Sequence, residues 1–489
     1  MIRRLFPTSL KARLALVGML ATAYIFISTV YLGHGGNPFY SMREGDGNTI
    51  AETLPVHDLE LEGLAGTRNG TVATSAQAAA GQTESKDIPS SDTYAAPKAT
   101  NSPISTPNTS TGVASDSDSG ARPKGPSVLL VSAFFPLEKP RYPQSKYDAW
   151  LKNYLGSITT DVYMYTTPEI APQFSAMRTE GLAITLDTNY TTPFDVPPLQ
   201  GKEEMYMRIQ KKDRERRGGR RGANVTDLYA VRNAKLFFLH HAIEVQQARG
   251  VKYDYAFWND AGSFRSDEHA YRAWPAPEKV QEVLGQGGHD HDVIFVPIFD
   301  VPHSSMAMWT EAMGPIDSKF SEGSFFGGSL KAIDWLTRAF YAYHNRYLAL
   351  EIFVGKDTSL LNSLMFLFPD RFVTVWHNDP DAPTAAHITP EPPSANSDQD
   401  PPRFLGQCGS IWHYYQFFLS DAPTKEKMRD LWMQIATRWR WWGWWKSVDR
   451  TRCQDTRVLD VKSVLQRKLG AGWNAPGQGV SIPDRVIWT

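Results

Sequence analysis

The sequence predicts an α/β fold, a mostly parallel sheet flanked by helices, behind an N-terminal transmembrane helix and a stalk without a core. Three observations carry this. Short apolar runs rich in β-branched and aromatic residues recur from Ser127 to Trp376. Segments with helical spacing lie between them, and strands alternating with helices give a parallel sheet covered on both faces. Upstream lie one uncharged apolar run and a long stretch dominated by Ser, Thr, Ala, Pro and Gly.

The apolar run, Leu14 to Leu32, carries no charge. At ~1.5 Å rise per residue it approaches the ~30 Å hydrocarbon core of a bilayer. It is longer than the ~7–15 residues of a cleaved signal, and no small-residue cleavage pattern follows it. Arg3, Arg4, Lys11 and Arg13 precede the run without an acid, whereas Glu44, Asp46 and Glu52 follow it against Arg43. The positive-inside rule then makes 1–13 a cytoplasmic tail, 14–33 an uncleaved signal-anchor and the remainder luminal. Type II topology fits a Golgi membrane, and the endoplasmic reticulum satisfies the same topology. The stretch 34–126 buries too little to offset chain ordering and is expected to be a disordered stalk. Sequons at Asn69, Asn108, Asn189 and Asn224 agree with luminal exposure.

The 489 residues are 42% hydrophobic and 12% aromatic, enough for a large core. A net charge of -1 lacks the basic excess of a phosphate-backbone binder, so nucleic acid is not an expected partner. The 15 Trp and 20 Tyr serve packing first, and sugar stacking where they line a site.

From Ser127 the expected strands are SVLLVSAFF, DVYMYT (161–166), LAITL (182–186), YDYAFW (253–258), DVIFVPIF (292–299) and RFVTVW (371–376). Val231–Arg249 and Leu330–Leu350 have apolar residues spaced for helices. A folded domain over 127–378 is therefore expected. The basic run Lys211–Gly222 reads as a solvated loop, or as a contact for donor phosphates. A Pro-rich loop at 379–402 leads into a Trp-rich helical segment, 403–489, whose Arg438–Lys446 cluster suits packing on the domain or a membrane interface. Cys408 and Cys453 both fall in the luminal part, where an oxidising compartment permits a disulfide and burial permits two thiols.

The most informative segment is YDYAFWNDAGSFR, an apolar strand that stops at Asn259 and Asp260 before Gly262. In open α/β sheets ligands bind beyond the carboxyl ends of strands, and a carboxylate there takes a divalent cation. The same residues also make a turn after a strand. In EGSFFGGS, the glycines Gly323, Gly327 and Gly328 around Phe325 and Phe326 form either a sugar pocket or a tight turn before a helix capped by Ser329. Asp357 opens a helix in GKDTSLLN, where it can cap free amides or act as a base toward a hydroxyl. His377 follows a strand and reads as a late metal ligand or a structural residue.

The order VSAFFPL, YDYAFWNDAGSFR, EGSFFGGS and GKDTSLLN resembles the HtrL/YibB family of glycosyltransferase-like proteins, over roughly Ser127 to His377. The likeness is clearest at Trp258–Gly262 and Phe325–Gly328. This chain has Asp357-Thr358 where the family commonly shows Asp-Gln. The resemblance implies a GT-A-like fold and sugar transfer from a nucleotide sugar to a glycan or glycoconjugate acceptor. The site expected on this reading puts a divalent metal, Mn2+ or Mg2+, on Asp260, with His377 as a late ligand. Asn259, Gly262 and the Gly323–Gly328 segment, including Phe325 and Phe326, would contact substrate, and Asp357 would be the base or a sugar-hydroxyl contact. The competing class is a non-catalytic luminal protein, a degenerate transferase or a carbohydrate-binding module, which Asn259-Asp260 in place of Asp-x-Asp and the altered Asp357-Thr358 favour.

Overall fold

The computed structural model describes residues 125–136, 142–213, 225–285, 292–382, 413–442 and 453–488, with backbone alone for 434–442. The expected anchor and stalk lie outside these residues. So do the basic run beyond Asp213, the Pro-rich loop beyond Ala382, Cys408, the sequons at Asn69, Asn108 and Asn224, and the side chains of the Arg438–Lys446 cluster. Among the described residues no helix is long and apolar enough to cross a membrane.

Eight strands among these residues form one sheet: β1 (Val128–Phe134), β2 (Asp161–Thr166), β3 (Ile184–Asp187), β4 (Tyr255–Asn259), β5 (Ile294–Phe295), β6 (Phe325–Ser329), β7 (Phe372–Val375) and β8 (Val458–Asp460). Their order is β3-β2-β1-β4-β6-β5-β7-β8. The pairs β1–β2, β1–β4, β2–β3 and β5–β7 are parallel, while β6 runs antiparallel to both neighbours and β8 to β7. The sheet is thus mostly parallel and flanked by helices.

The helices are α1 (Gln144–Ser157), α2 (Ala171–Met177), α3 (Glu203–Ile209), α4 (Thr226–Ala248), α5 (Pro277–Gly285), α6 (Leu330–Ala349), α7 (Asp357–Leu367), α8 (Tyr415–Phe418), α9 (Ala422–Trp442) and α10 (Val461–Leu469). The alternation of side chains along β1 explains its unbroken apolar sequence. Leu129, Val131 and Ala133 pack with α3, α4, α6, α7 and α10, whereas Val128, Leu130 and Phe134 pack with α1, α2 and α5. Local chemistry sets the ends of two long helices. Ser329 accepts a hydrogen bond from the Ala332 amide at 3.2 Å and starts α6. Gly250, at φ 79°, follows the end of α4.

The segment expected as a Gly-rich turn is a strand. Phe325–Ser329 forms β6 in the centre of the sheet, and only Glu322–Ser324 remains outside it. Its glycines answer to the neighbours: a Cβ on Gly327 would lie 2.2 Å from the Ala256 carbonyl oxygen, and one on Gly328 would lie 2.6 Å from that of Val293. Strand β5 is shorter than its apolar run, although the chain stays beside β7 past Pro297, with Val296 and Ile298 donating to the Val373 and Val375 carbonyls at 3.1 and 3.0 Å. The C-terminal segment contributes β8 and α10 to the same compact unit as the rest of the described residues. Cys453 is buried and disulfide-bonded.

Candidate active site

Four elements meet at the carboxyl end of β4. The register that pairs Asn259 with Phe325 brings the residues before β6 alongside those after β4. The Asp260 amide donates to the Ser324 carbonyl at 2.8 Å. Helix α7 is tied to the same place through Asn362, which accepts from the Ser321 amide at 2.9 Å and donates to the Ile316 carbonyl at 3.0 Å. This fixes Asp357, the first residue of α7, beside Gly323. Helix α4 packs across β1 and β4 and supplies Lys235.

The Lys235 ammonium lies 3.1 Å from Asp260 Oδ1 and 2.9 Å from Asp357 Oδ2, and donates to the Gly323 carbonyl at 3.0 Å. It sits 5.6 Å from the centre of the Trp258 ring, whose indole N–H donates to Asp260 Oδ1 at 2.6 Å. Asp260, Asp357 and Lys235 are all buried. Asp260 Oδ2 has no hydrogen-bond partner. Glu322, also buried, accepts from the Ser324 amide at 3.1 Å, and the Ser324 hydroxyl meets the Tyr415 hydroxyl at 2.9 Å.

Burial sets the electrostatics. It pushes the Asp260 carboxyl up to about 6, against the opposing pull of Lys235 and the Trp258 hydrogen bond. It pushes the Glu322 carboxyl up to about 7 against hydrogen bonds from Ser324, and the Asp260 charge adds to the rise. Three carboxyls thus face one lysine, a site short of positive charge.

The expected site residues divide. Asp260, Asp357 and the Gly323 carbonyl come together around Lys235. Asn259 is committed to its own turn: its Oδ1 accepts from the Ser263 hydroxyl at 3.0 Å and its Nδ2 donates to the Asp260 carbonyl at 3.1 Å. Gly262 lies buried in that turn. Phe325 and Phe326 point to opposite faces of the sheet, each in core, and Gly327 and Gly328 are explained by strand packing. The ring of His377 stacks on Phe299 at 4.7 Å and meets Tyr414 at 5.0 Å, and its Nδ1 is 2.8 Å from Asn378 Oδ1. Asp357 is not a simple helix cap, because its carboxylate faces Lys235. Sequence reasoning missed Lys235 and Glu322. The signal for Lys235 is the polar set Arg232, Asn233 and Lys235 inside the otherwise apolar stretch Tyr229–Leu239.

Among the described residues no three His, Cys, Asp or Glu side chains converge as a metal site. One buried carboxylate oxygen at the site, Asp260 Oδ2, is left without a hydrogen-bond partner. Mg2+ and similar ions commonly bind through one or two carboxylates, with substrate phosphates and water completing the shell. No family model matches the chain, and a search of curated proteins finds no match.

Proposed function

We propose that the chain is a glycosyltransferase with a GT-A-like fold, transferring a sugar from a nucleotide-sugar donor to a luminal glycan or glycoconjugate. The observation that carries this reading is Asp260 Oδ2, a buried, unpartnered carboxylate oxygen at the carboxyl end of a central strand. Ligands of open α/β sheets bind at that end of the strands. The ordered motifs that resemble those of the HtrL/YibB family support the same chemistry. A divalent ion, Mn2+ or Mg2+, held by Asp260 would neutralise the departing diphosphate.

The chain's own residues prepare that ligand. Trp258 and Lys235 engage Oδ1, fix the carboxylate's orientation and leave Oδ2 for the ligand. Asp357 holds Lys235 from the other side. Because its carboxylate is engaged by the Lys235 ammonium at 2.9 Å, we read Asp357 as a positioning residue rather than the base. The apolar run Leu14–Leu32 and its flanking charges support a type II anchor in the Golgi membrane, with the folded unit luminal.

Calorimetric titration of the purified chain with a panel of nucleotide sugars tests the reading, with Mn2+ and with chelator. One nucleotide should bind in the presence of Mn2+, and Asp260→Asn should abolish that binding while the protein stays folded. Glycan binding that persists in chelator, with no nucleotide bound, would instead favour the non-catalytic reading that the missing Asp-x-Asp and the altered Asp357-Thr358 support.

A further inference from the structure

The atoms around the Lys235 ammonium have the composition of a metal site. Asp260 Oδ1, Asp357 Oδ2 and the Gly323 carbonyl oxygen lie 3.1, 2.9 and 3.0 Å from it, as many oxygens as an ammonium has hydrogens. Two carboxylates and a main-chain carbonyl are hard oxygen ligands of the kind that divalent cations take. They come from three separate elements, β4, α7 and the segment before β6, so their convergence is built by the tertiary fold. Gly323 permits the close approach of its carbonyl: a Cβ there would lie 2.6 Å from Thr358 Cγ2 and 3.2 Å from Asp357 Oδ2. The side chains of Lys235, Asp260 and Asp357 are 2%, 0% and 2% exposed, so water does not screen the charges.

We propose that Lys235 is the resident cation of an oxygen cage that would otherwise hold a divalent ion, and that it keeps such ions out of the position between Asp260 and Asp357. Two cations cannot share three oxygens in a buried site without severe like-charge repulsion. A second consequence rests on the functional reading above. In the intact protein a divalent ion enters through Asp260 Oδ2 alone, together with a donor diphosphate that completes its shell. Metal binding is then conditional on donor binding. The cage radius of about 3 Å exceeds the ~2.0–2.1 Å of Mg2+ more than the ~2.3–2.6 Å of Ca2+, so the larger ion needs the smaller contraction.

Lys235→Met removes the amine and keeps most of the stem, leaving two buried carboxylates without their counter-ion. The test uses the full-length chain, free of nucleotide in every arm, titrated with Mn2+ and Ca2+. Bound ion is counted by calorimetry and by loss of the free Mn2+ resonance, and melting curves are recorded alongside. Wild type should show no divalent site that depends on Asp357. Lys235→Met should bind one ion, at least about tenfold tighter than wild type, melt higher as the ion is added, and lose both effects when Asp357→Asn is added. Lys235→Ala serves as a second variant, and folding of either variant only on addition of ion is also a supporting result. Asp357-dependent ion binding by wild type would overturn the proposal. So would a folded Lys235→Met that gains no site, or failure of both variants to fold even with ion present. A transferase reading that failed for want of nucleotide binding would leave these results unchanged.

Discussion

Glu322→Gln isolates the cost of burying a carboxyl in a site already short of positive charge. The glutamate stands at about 7 against an ordinary 4.5, raised chiefly by burial. The sign follows from proton binding. Between pH 4.5 and 7 the folded protein keeps a proton that the unfolded chain has released, so stability falls as pH rises. The contribution is fully present below 4.5 and lost as pH climbs through about 7. At 1.36 kcal/mol per pH unit, the loss at pH 8 is on the order of 3 kcal/mol. Glutamine keeps a carbonyl oxygen for the Ser324 amide and has no charge to bury. It also removes a like charge from the neighbourhood of Asp260. The assay is urea unfolding of wild type and Glu322→Gln in chelator at steps from pH 5 to pH 8. The stability difference between the two should rise in favour of the variant by about 2.5 kcal/mol across that range. Taking the difference cancels the buried histidines, which titrate in both proteins. A flat difference curve would refute the assignment of Glu322 as a buried carboxyl in an uncompensated site.

Two further substitutions probe the frame. Gly327→Ala would place a methyl group 2.2 Å from the Ala256 carbonyl and 2.7 Å from the Phe257 Cα, backbone atoms that cannot rotate away. Denaturant melts should show a loss of about 3 kcal/mol or more. His413 is buried with neither ring nitrogen hydrogen-bonded, and burial, with the Arg265 charge, holds its pKa well below the usual histidine value. His413→Phe should therefore stabilise by about 1–2 kcal/mol at pH 7. The gain should grow below pH 6.5, where the unfolded wild-type chain takes up a proton that the folded one refuses. A loss of stability for His413→Phe at pH 5 would contradict that account.

Much of the sheet was legible because its strands are buried on both faces and so read as continuous apolar runs. The misreadings have local causes. Two adjacent glycines argue against a strand, yet in β6 they are demanded by the carbonyls of Ala256 in β4 and Val293 just before β5. Those neighbours are remote in sequence, so no local pattern announces them. The apolar run at 292–299 promised a long strand; only Ile294–Phe295 is regular, and beyond it the chain follows β7 through single hydrogen bonds from Val296 and Ile298. Strand β8 is three half-exposed residues at the sheet edge, too short to carry a periodic signal.

The site divides along the same line. Asp260 was legible because a carboxylate that interrupts an apolar strand end is a local event. Lys235 was not, because its meaning depends on two carboxylates contributed by other elements. The antiparallel setting of β6 joins them. Were β6 parallel to β4, its leading residues would lie at the opposite edge of the sheet, and neither Glu322 nor the Gly323 carbonyl would reach the carboxyl end of β4. The glycines that let β6 fit between β4 and β5 are therefore also what bring the Gly323 carbonyl to the ammonium between Asp260 and Asp357. Gly327 and Gly328 serve the site through the sheet rather than by touching a ligand, and a substitution that shifts β6 should disturb the Lys235 contacts before it exposes any core.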